Sequence, residues 1–210
     1  MTKPSVFQPV QTCQHQIKIK SSRFLADIFP IHSEEEVEEN LKTVEKREYT
    51  ANHHCFAWRL GTGDEEIWRV SDDGEPAGTA GNPIYMVLKG AGLTNVLAVV
   101  TRYFGGTKLG KGGLIRAYGG VIQEALPLLK KEAFIPMQLL SCSTDFEHSS
   151  LVFRLIENFD AELVDQTYED TVTITLRVDR SRANTFAWEL HELSNGSIKA
   201  MFIDDLEDQA

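Results

Sequence analysis

Hydrophobic and polar positions in the first 135 residues follow strand and helix periodicities in turn. Residues 95–103 form a nearly continuous apolar run, which is typical of a strand buried on both faces. Val37, Leu41 and Val44 recur at helical spacing after the capping box of Ser33 and Glu36. The predicted strands cover 23–31, 53–60, 66–70 and 95–103. Three helices are predicted: the first ends near 47, the second begins between 77 and 83, and the third covers about 112–131. Residues before 23 are interpreted as a polar leading segment.

Terminal residues and spacing locate two of these helices. Asn82 followed by Pro83 suits the N-cap and first position of the middle helix, and Gly90 suits its end. In the last helix, the apolar positions at helical spacing are Ile115, Tyr118, Ile122, Ala125 and Leu129, so this is the face that we expect to be buried.

The pattern after Pro136 predicts a second domain. The preceding helix cannot continue through Pro136, so we expect domains over 1–135 and 136–210. Strands over 138–146, 161–168, 171–178 and 197–203 and helices over 149–158 and 182–193 give the order βαββαβ, typical of a ferredoxin-like fold. The predicted class is α+β. The polar face of the 171–178 strand has no aromatic residue, which favours a solvated or protein-contacting surface over an RNA-stacking one.

Composition indicates the compartment. No apolar run approaches the roughly 18 residues that a transmembrane helix needs, and the first ten residues lack the apolar core of a secretory signal. Cys13, Cys55 and Cys142 are odd in number and far apart, so they predict no disulfide framework. We therefore expect a cytoplasmic protein with no membrane partner.

The net charge of −10 is unevenly distributed. Residues 1–135 hold 16 basic and 16 acidic residues, whereas residues 136–210 hold 5 basic and 15 acidic residues and so carry the whole net charge. No acidic residue occurs between Glu75 and Glu124. The basic residues of that interval are Lys89, Arg102, Lys108, Lys111 and Arg116. A local positive field can therefore exist within an acidic protein.

A motif of turn-forming and acidic residues precedes the middle helix. Its candidate site residues are Ser71, Asp72, Asp73, Gly74, Glu75, Pro76, Thr79 and Gly81. One interpretation is a tight loop that leads into the helix, because Asp-Gly and Glu-Pro pairs favour turns. In the other, Gly78 and Gly81 let an anion approach the unpaired N–H groups of the helix start. The three carboxylates could also hold Mg²⁺, but adjacent aspartates diverge in an extended chain, so no metal site is predicted.

A basic, glycine-rich segment follows the buried strand. The candidate anion-binding or nucleic-acid-binding residues of the acid-free interval are Lys89, Arg102, Tyr103, Phe104, Gly105, Gly106, Lys108, Gly110, Lys111, Gly112, Gly113 and Arg116. Glycines expose backbone N–H groups, which bind anions where they are consecutive, and the basic residues around them favour phosphate. The alternative is a flexible lid whose lysines are solvated.

Residues 105–111 nearly match a Walker A loop. They satisfy G-x-x-x-x-G-K between a predicted strand and a predicted helix. Gly112, however, stands where that motif places the Ser or Thr that binds Mg²⁺, and no later buried strand ends in a Walker B carboxylate. The mismatch argues against a P-loop ATPase.

His53, His54 and Cys55 lie on a predicted strand. His53 and Cys55 would share one face and could begin a zinc site, but no second ligand pair stands at a metal-like spacing. A half-buried strand with structural histidines is the favoured interpretation. Since no nucleophile arrangement has local sequence support, the catalytic residues, if any, are unknown, and we predict no metal and no cofactor.

The two motif segments resemble the signature of the IMPACT/YigZ family. The residues that carry the resemblance are 71–81, 99–106, 109–110 and 112–114, together with 53–55, which bacterial YigZ-like members share. The resemblance implies a ribosomal protein S5 domain 2-like fold for 1–135 and a ferredoxin-like fold for 136–210, a pair found as adjacent domains in translocating elongation factors. Eukaryotic members regulate a translation-control kinase through an added N-terminal RWD domain, for which we expect no room here. No catalytic residues carry over.

The favoured prediction is a non-enzymatic binding or regulatory protein linked to translation. It would bind RNA or a ribosome-associated protein through the basic segment, with lysines and arginines on phosphates and with Tyr103 and Phe104 stacking on bases. The competing hypothesis is an enzyme or sensor for a small phosphorylated ligand, in which Asp72, Asp73 or Glu75 holds Mg²⁺ or acts as a base.

Overall fold

The structure is a computed structural model that describes residues 6–203. The chain divides into two compact units, residues 1–134 and 135–210, which are described separately below. Both units combine antiparallel sheets with helices, so the predicted α+β class is confirmed. Within residues 6–203, no helix is long and apolar enough to cross a membrane.

The first unit is built on a five-stranded antiparallel sheet. Over its described residues the unit has seven strands, of which five belong to this sheet: β1 (Phe7–Pro9), β2 (Cys13–Ile19), β3 (Ser22–Pro30), β4 (His53–Leu60), β5 (Ile67–Ser71), β6 (Val96–Tyr103) and β7 (Lys131–Ala133). Its helices are α1 (Glu34–Arg47), α2 (Gly81–Gly90) and α3 (Lys111–Ala125). The order of the large sheet is β2-β3-β6-β4-β5, and β1 pairs with β7 in a separate two-stranded sheet.

Helices cover both faces of the large sheet. On one face, α2 and α3 pack over a core that includes Phe24, Ile28 and Val100. On the other face, Val44 of α1 packs in a smaller core with Leu97 of β6. Strand β6 lies in the middle of the sheet and contributes to both cores, which explains its continuous apolar sequence. The strand predicted over 95–103 is confirmed.

The polar leading segment contains two strands, so that interpretation is wrong. Strand β2 alternates buried or half-buried residues with exposed ones, and Cys13, His15 and Ile17 point inward. It lies at the edge of the large sheet and pairs with β3 alone among the described strands. Its apolar signal is weak because the other face of β2 is exposed and carries glutamine and lysine.

The last helix of this unit is shorter than predicted and differs in its buried face. Helix α3 ends at Ala125 and passes into a 3-10 turn over 126–128, because Pro127 has no N–H for the next helical bond. The chain then forms β7, so the helix predicted to 131 is wrong at its end. Ile115 is 45% exposed, and Leu114 and Val121 are buried in addition to the later predicted positions.

The second unit is a four-stranded antiparallel sheet with two helices. Its strands are β8 (Met137–Thr144), β9 (Glu162–Tyr168), β10 (Val172–Asp179) and β11 (Ala200–Ile203), and its helices are α4 (Ser149–Asn158) and α5 (Arg180–Leu193). The strand order is β11-β8-β10-β9. Leu140, Ile174 and Leu176 of the sheet pack with Val152 of α4 and Phe186 of α5 in one core.

The order of elements in the second unit matches the predicted βαββαβ order. The last strand begins at Ala200, three residues later than predicted. Gly196 N–H donates to the His191 carbonyl at 2.8 Å, and Ile198 N–H donates to Ser194 Oγ at 3.1 Å. These bonds hold residues 195–198 against the end of α5 and delay the strand.

Candidate anion-binding surface

Asp72 caps the start of α2 from outside the helix. Its Oδ1 accepts hydrogen bonds from the N–H groups of Ala80 and Gly81, both at 2.9 Å, and its Oδ2 accepts one from Gly78 at 2.7 Å. Burial would raise the pKa of the Asp72 carboxyl, but the three donors outweigh burial and the net pKa is lowered. The N-cap position belongs to Ala80, so the N-cap predicted at Asn82 is wrong. This helix start is therefore closed to an external anion.

The other small residues of the motif shape the loop. An added Cβ at Gly81 would lie 2.8 Å from the Ser71 backbone nitrogen, so glycine lets the helix start pack against the end of β5. The Pro76 carbonyl accepts both the N–H and the hydroxyl of Thr79, at 3.0 Å and 2.6 Å. Gly74 has a φ of +81°, which glycine adopts without strain. The loop is thus held by its own hydrogen bonds.

Asp73 is held by β4. Its Oδ2 accepts a hydrogen bond from the His54 N–H at 2.6 Å, and its carbonyl oxygen accepts one from His53 Nδ1 at 2.7 Å. Both aspartates of the motif therefore satisfy donors of the protein itself. Among the residues that the structure describes, no group of three or more His, Cys, Asp and Glu could hold a metal ion.

Glu75 joins the two motif segments. Its Oε1 accepts hydrogen bonds from Arg102 Nη1 and, at 2.8 Å, from the Tyr118 hydroxyl. His53 Nε2 lies 3.9 Å from the same oxygen. The side chains of Glu75 and Arg102 are 4% and 6% exposed. Removal of either partner would leave an uncompensated buried charge, so this ion pair supports the structure of the site.

Arg102 does not face solvent as a phosphate ligand would. Its Nη2 lies 3.5 Å from Ser22 Oγ, and its guanidinium carbon lies about 5.5 Å from the ring centres of Phe24 and Phe104. The sequence did carry a signal for this position. Arg102 follows Val100 by two residues on the same core-facing side of β6, and a charge at such a position needs a buried partner.

Cys55 and Tyr118 lie beside the buried ion pair. We call Glu75, Arg102, Tyr118 and Cys55 the buried cluster. The Cys55 thiol is fully buried and donates to the Asp72 carbonyl oxygen at 3.0 Å. Burial, with a contribution from nearby carboxylates, raises the pKa of this thiol to about 12. Burial likewise raises the pKa of the Tyr118 hydroxyl above its usual range. Both groups stay protonated near neutral pH, so neither is poised as a nucleophile.

The glycine-rich segment is anchored at its beginning. The Gly105 N–H donates to Ser22 Oγ at 3.2 Å, and an added Cβ at Gly105 would overlap the Ser21 backbone carbonyl. The Phe104 N–H donates to Asn52 Oδ1 at 2.8 Å. Glycine at 105 is thus required by the close approach of the turn between β2 and β3.

The two aromatic candidates differ in their surroundings. The Tyr103 hydroxyl donates to Glu48 Oε2 at 2.8 Å, and the Arg23 guanidinium lies 4.4 Å from the Tyr103 ring centre. Phe104 is 44% exposed. Phe104 is therefore the residue of the pair with a ring open to stacking by a ligand.

Helix α3 begins without a side-chain cap. Gly110 occupies its N-cap position with a φ of +73°, and the first turn contains no acidic residue. Helix α1, by contrast, has a serine cap and three glutamates in its first turn. Within the described residues, no side chain caps α3, so the N–H groups of Lys111, Gly112 and Gly113 can donate hydrogen bonds to an external anion.

Three basic side chains accompany this helix start. Lys108, Lys111 and Arg116 are exposed, and none forms an ion pair with a carboxylate in the part of the chain that the structure describes. Gly106, with a φ of +85°, lets the chain turn between them and the anchored residues. We call Phe104, Lys108, Lys111, Gly112, Gly113 and Arg116 the basic loop surface; all of them are exposed except Gly113, which is half-buried.

Lys89 lies elsewhere on the first unit. It belongs to the last turn of α2, at the opposite end from the motif loop, and its ammonium lies 5.6 Å from the Tyr85 ring centre. The predicted site residues therefore do not form one site. Some support the buried cluster and some form the basic loop surface, whereas Tyr103 and Gly105 contact Glu48 and Ser22, and Lys89 lies apart from all of them.

Comparisons with known proteins match families to both units. The Impact N-terminal domain matches residues 20–126, which include both motif segments, and a domain of unknown function, DUF1949, matches residues 142–197. The chain is 35% identical to the IMPACT family member YvyE of Bacillus subtilis (strain 168), over 91% of this chain and 88% of that protein. The chain belongs to the IMPACT family. The resemblance inferred from the two motif segments is confirmed.

A further IMPACT family member and one solved structure are similar along nearly the whole chain. YigZ of Escherichia coli (strain K12) is 32% identical, over 90% of this chain and 93% of that protein. The crystal structure of a hypothetical protein is 30% identical with a TM-score of 0.70, and the match covers 95% of this chain and 98% of the other. The similarity to IMPACT family members therefore extends through both units.

Proposed function

We propose that this IMPACT family protein is a non-enzymatic regulatory protein linked to translation. It binds RNA, free or within a ribosome-associated complex, through the basic loop surface. The observation that carries the proposal is the uncapped start of α3, which has no acidic residue in its first turn and is accompanied by three exposed basic side chains. Phosphate groups supply the negative charge that this arrangement lacks.

Two further features support binding to RNA. The exposed Phe104 ring lies next to the basic residues in sequence and offers a face for base stacking, which tolerates any base. The basic residues lie in an interval of 48 residues, 76–123, without an acidic residue, so no neighbouring carboxylate in sequence neutralises them. A regulatory role agrees with the one that the family resemblance implies for eukaryotic members.

The buried cluster supports a non-enzymatic role. Asp72 and Asp73 are bound to backbone donors, and Glu75 is bound to Arg102 and Tyr118. These carboxylates were the acid, base or magnesium candidates of the enzyme hypothesis. Their partners are internal, so the motif supports the loop that precedes α2, and the reactive groups nearby stay protonated.

We also infer the fold of each unit and the compartment. For the second unit, the antiparallel order β11-β8-β10-β9 with α4 and α5 on one core supports a ferredoxin-like fold. For the first unit, family membership supports the S5 domain 2-like fold. Cys13, Cys55 and Cys142 are all free and buried, which supports a cytoplasmic location.

Salt dependence tests the RNA proposal directly. We expect Lys108→Ala/Lys111→Ala to weaken binding of a single-stranded RNA and to lower the slope of log K against log[salt] by about 1.4, the counterion release expected for two phosphate contacts. Fluorescence anisotropy over a salt series measures both quantities. The matched control is Lys42→Ala/Lys46→Ala, which removes two exposed lysines from α1. If both double variants lose the same RNA affinity, or if Lys108→Ala/Lys111→Ala leaves the salt slope unchanged, the basic loop surface is not the RNA-binding site.

A small phosphorylated ligand is the second candidate, and the same three N–H groups at the start of α3 favour it. We expect phosphate monoesters present at ten times their Kd to raise Tm by about 3–5 °C. The shift should not require Mg²⁺, because Asp72 and Asp73 already have partners. A thermal-shift screen with and without Mg²⁺ measures it, and Lys111→Ala, which keeps the N–H groups but removes one positive charge, should reduce the shift. A magnesium-dependent shift would instead revive the enzyme hypothesis.

A further inference from the structure

Strand β9 forms a fully exposed edge of the second unit. In the described part of the chain it pairs with β10 alone, and all seven of its residues are exposed. An edge strand presents a row of backbone N–H and C=O groups that have no partner in the sheet. A further strand can satisfy these groups by pairing with β9.

The side chains of β9 divide into an acidic side and an apolar side. Glu162 and Asp165 lie opposite Arg177 and Thr175 of β10, on the face of the sheet away from the helices. Leu163 and Tyr168 lie opposite core residues of β10 and remain 39% and 56% exposed. The register shifts at Val164, where one extra residue forms a bulge.

An exposed aromatic pair continues the apolar side. The rings of Phe146 and Tyr168 are stacked with centres 6.4 Å apart and an interplanar angle of 16°, and both residues are more than half exposed. The stack extends the contact area of the edge beyond the backbone itself.

The charge around this edge is predominantly negative, although Arg177 of β10 lies opposite Glu162. Residues 155–176 hold six acidic residues and no Lys, Arg or His. The members of the set on or beside β9 are Asp160, Glu162, Asp165, Glu169 and Asp170, all of them exposed. A partner that pairs with this edge must compensate that charge, so its own side chains must be basic.

We propose that β9 binds an extended Lys/Arg-rich segment of a partner protein, which adds to the sheet as a fifth strand. Backbone hydrogen bonds to β9 supply affinity that does not depend on sequence. Because side chains of a strand alternate between faces, the segment carries basic residues at alternate positions, toward Glu162 and Asp165. The positions between them carry apolar residues toward Leu163 and Tyr168. The β9 edge is separate in sequence from the basic loop surface. The acidic β9 edge selects a positively charged partner, whereas the basic loop surface selects a negatively charged one.

A synthetic peptide tests the proposal. The probe is an acetylated and amidated peptide of four Lys-Val repeats with a fluorophore, titrated with the full-length protein and followed by anisotropy. We expect binding that Glu162→Gln/Asp165→Asn weakens about fivefold, since each exposed charge pair contributes modestly. We also expect hydrogen exchange of residues 162–168 to slow when the peptide is bound.

Two controls distinguish strand addition from general charge attraction. The variant Glu189→Gln/Glu192→Gln removes the same charge from α5 and should leave binding unchanged within about twofold. A peptide of the same sequence with alternate N-methylated backbone nitrogens keeps its charge and should lose binding. The proposal is overturned if the methylated peptide binds equally well, if both double variants lose binding equally, or if the peptide does not bind at all. In the last case the acidic side chains protect the edge from pairing.

Discussion

Asp72, Asp73 and Glu75 each direct a carboxylate to a partner within the first unit. The Asp72 carboxylate accepts hydrogen bonds from three N–H groups around the start of α2. The Asp73 carboxylate accepts one from the His54 N–H, and the Glu75 carboxylate accepts hydrogen bonds from Arg102 and Tyr118. A carboxylate that accepts several donors is strongly stabilised in its charged form. At the residue scale, the acidic motif therefore has a structural role: its hydrogen bonds connect β4, the loop before α2, β6 and α3.

We expect Asp72→Asn to destabilise the first unit by about 1–2 kcal/mol at pH 7, as for loss of a helix cap. The folded-state pKa of Asp72 is lowered, so its contribution is fully present above the unfolded-state pKa of about 3.9 and is lost as pH falls through the folded-state value. The difference in free energy of unfolding between the parent and Asp72→Asn should therefore shrink below about pH 4.

Urea unfolding at several pH values measures this difference. Replacement of Trp188 by Phe in both proteins leaves Trp58 and Trp68 as reporters of the first unit. Asp64→Asn is the matched control, because Asp64 is exposed in the turn between β4 and β5. A difference for Asp72→Asn that stays constant from pH 7 to pH 3 would contradict the capping role of the charged carboxylate.

At the element scale, predictability followed the strength of the local pattern. Strand β4 and helix α4 have the predicted limits. Helix α4 is amphipathic and carries a strong helical period, whereas β4 ends at the turn-forming residues Gly61, Gly63 and Asp64. Strands β1 and β2 were missed since a three-residue strand has no period and an edge strand has polar residues on its exposed face. Helix α3 ends because of Pro127. Leu129 continues the helical spacing of apolar residues past that proline, so the sequence pattern predicted a helix that is too long.

The sequence indicated exposure in the candidate site better than it indicated internal contacts. Most of residues 104–116 are exposed, as their glycine content and lack of acidic residues indicated, and their binding of an anion stays a prediction. Of the two interpretations of the 71–81 motif, an anion bound at the start of α2 is not supported, because the Asp72 carboxylate caps that helix start from nine residues earlier in the chain. The pairing of Glu75 with Arg102 spans 27 residues and depends on how the loop meets β6, which no local pattern encodes.

At the scale of the whole molecule, the charges of the two halves of the sequence act on RNA in opposite directions. The basic loop surface attracts phosphate, whereas residues 136–210 carry the whole net charge of −10 and repel it. These effects differ in range, because the Debye length is about 30 Å at 0.01 M salt and about 8 Å at 0.15 M. The long-range part of the repulsion is therefore strongest at low salt and largely screened near physiological salt.

We therefore expect a curved salt dependence for RNA binding by the full chain. Below about 0.05 M salt, added ions screen the repulsion while they weaken the contacts, so log K should fall less steeply than above that concentration. The variant Glu189→Gln/Glu192→Gln, whose formal charge is −8, should bind more tightly than the parent at 0.01 M and equally at 0.15 M. Anisotropy titrations of both proteins across this range measure the effect. A straight line for the parent, or an advantage of the variant that persists at 0.15 M, would mean that the acidic half acts through direct contact and not through its long-range field.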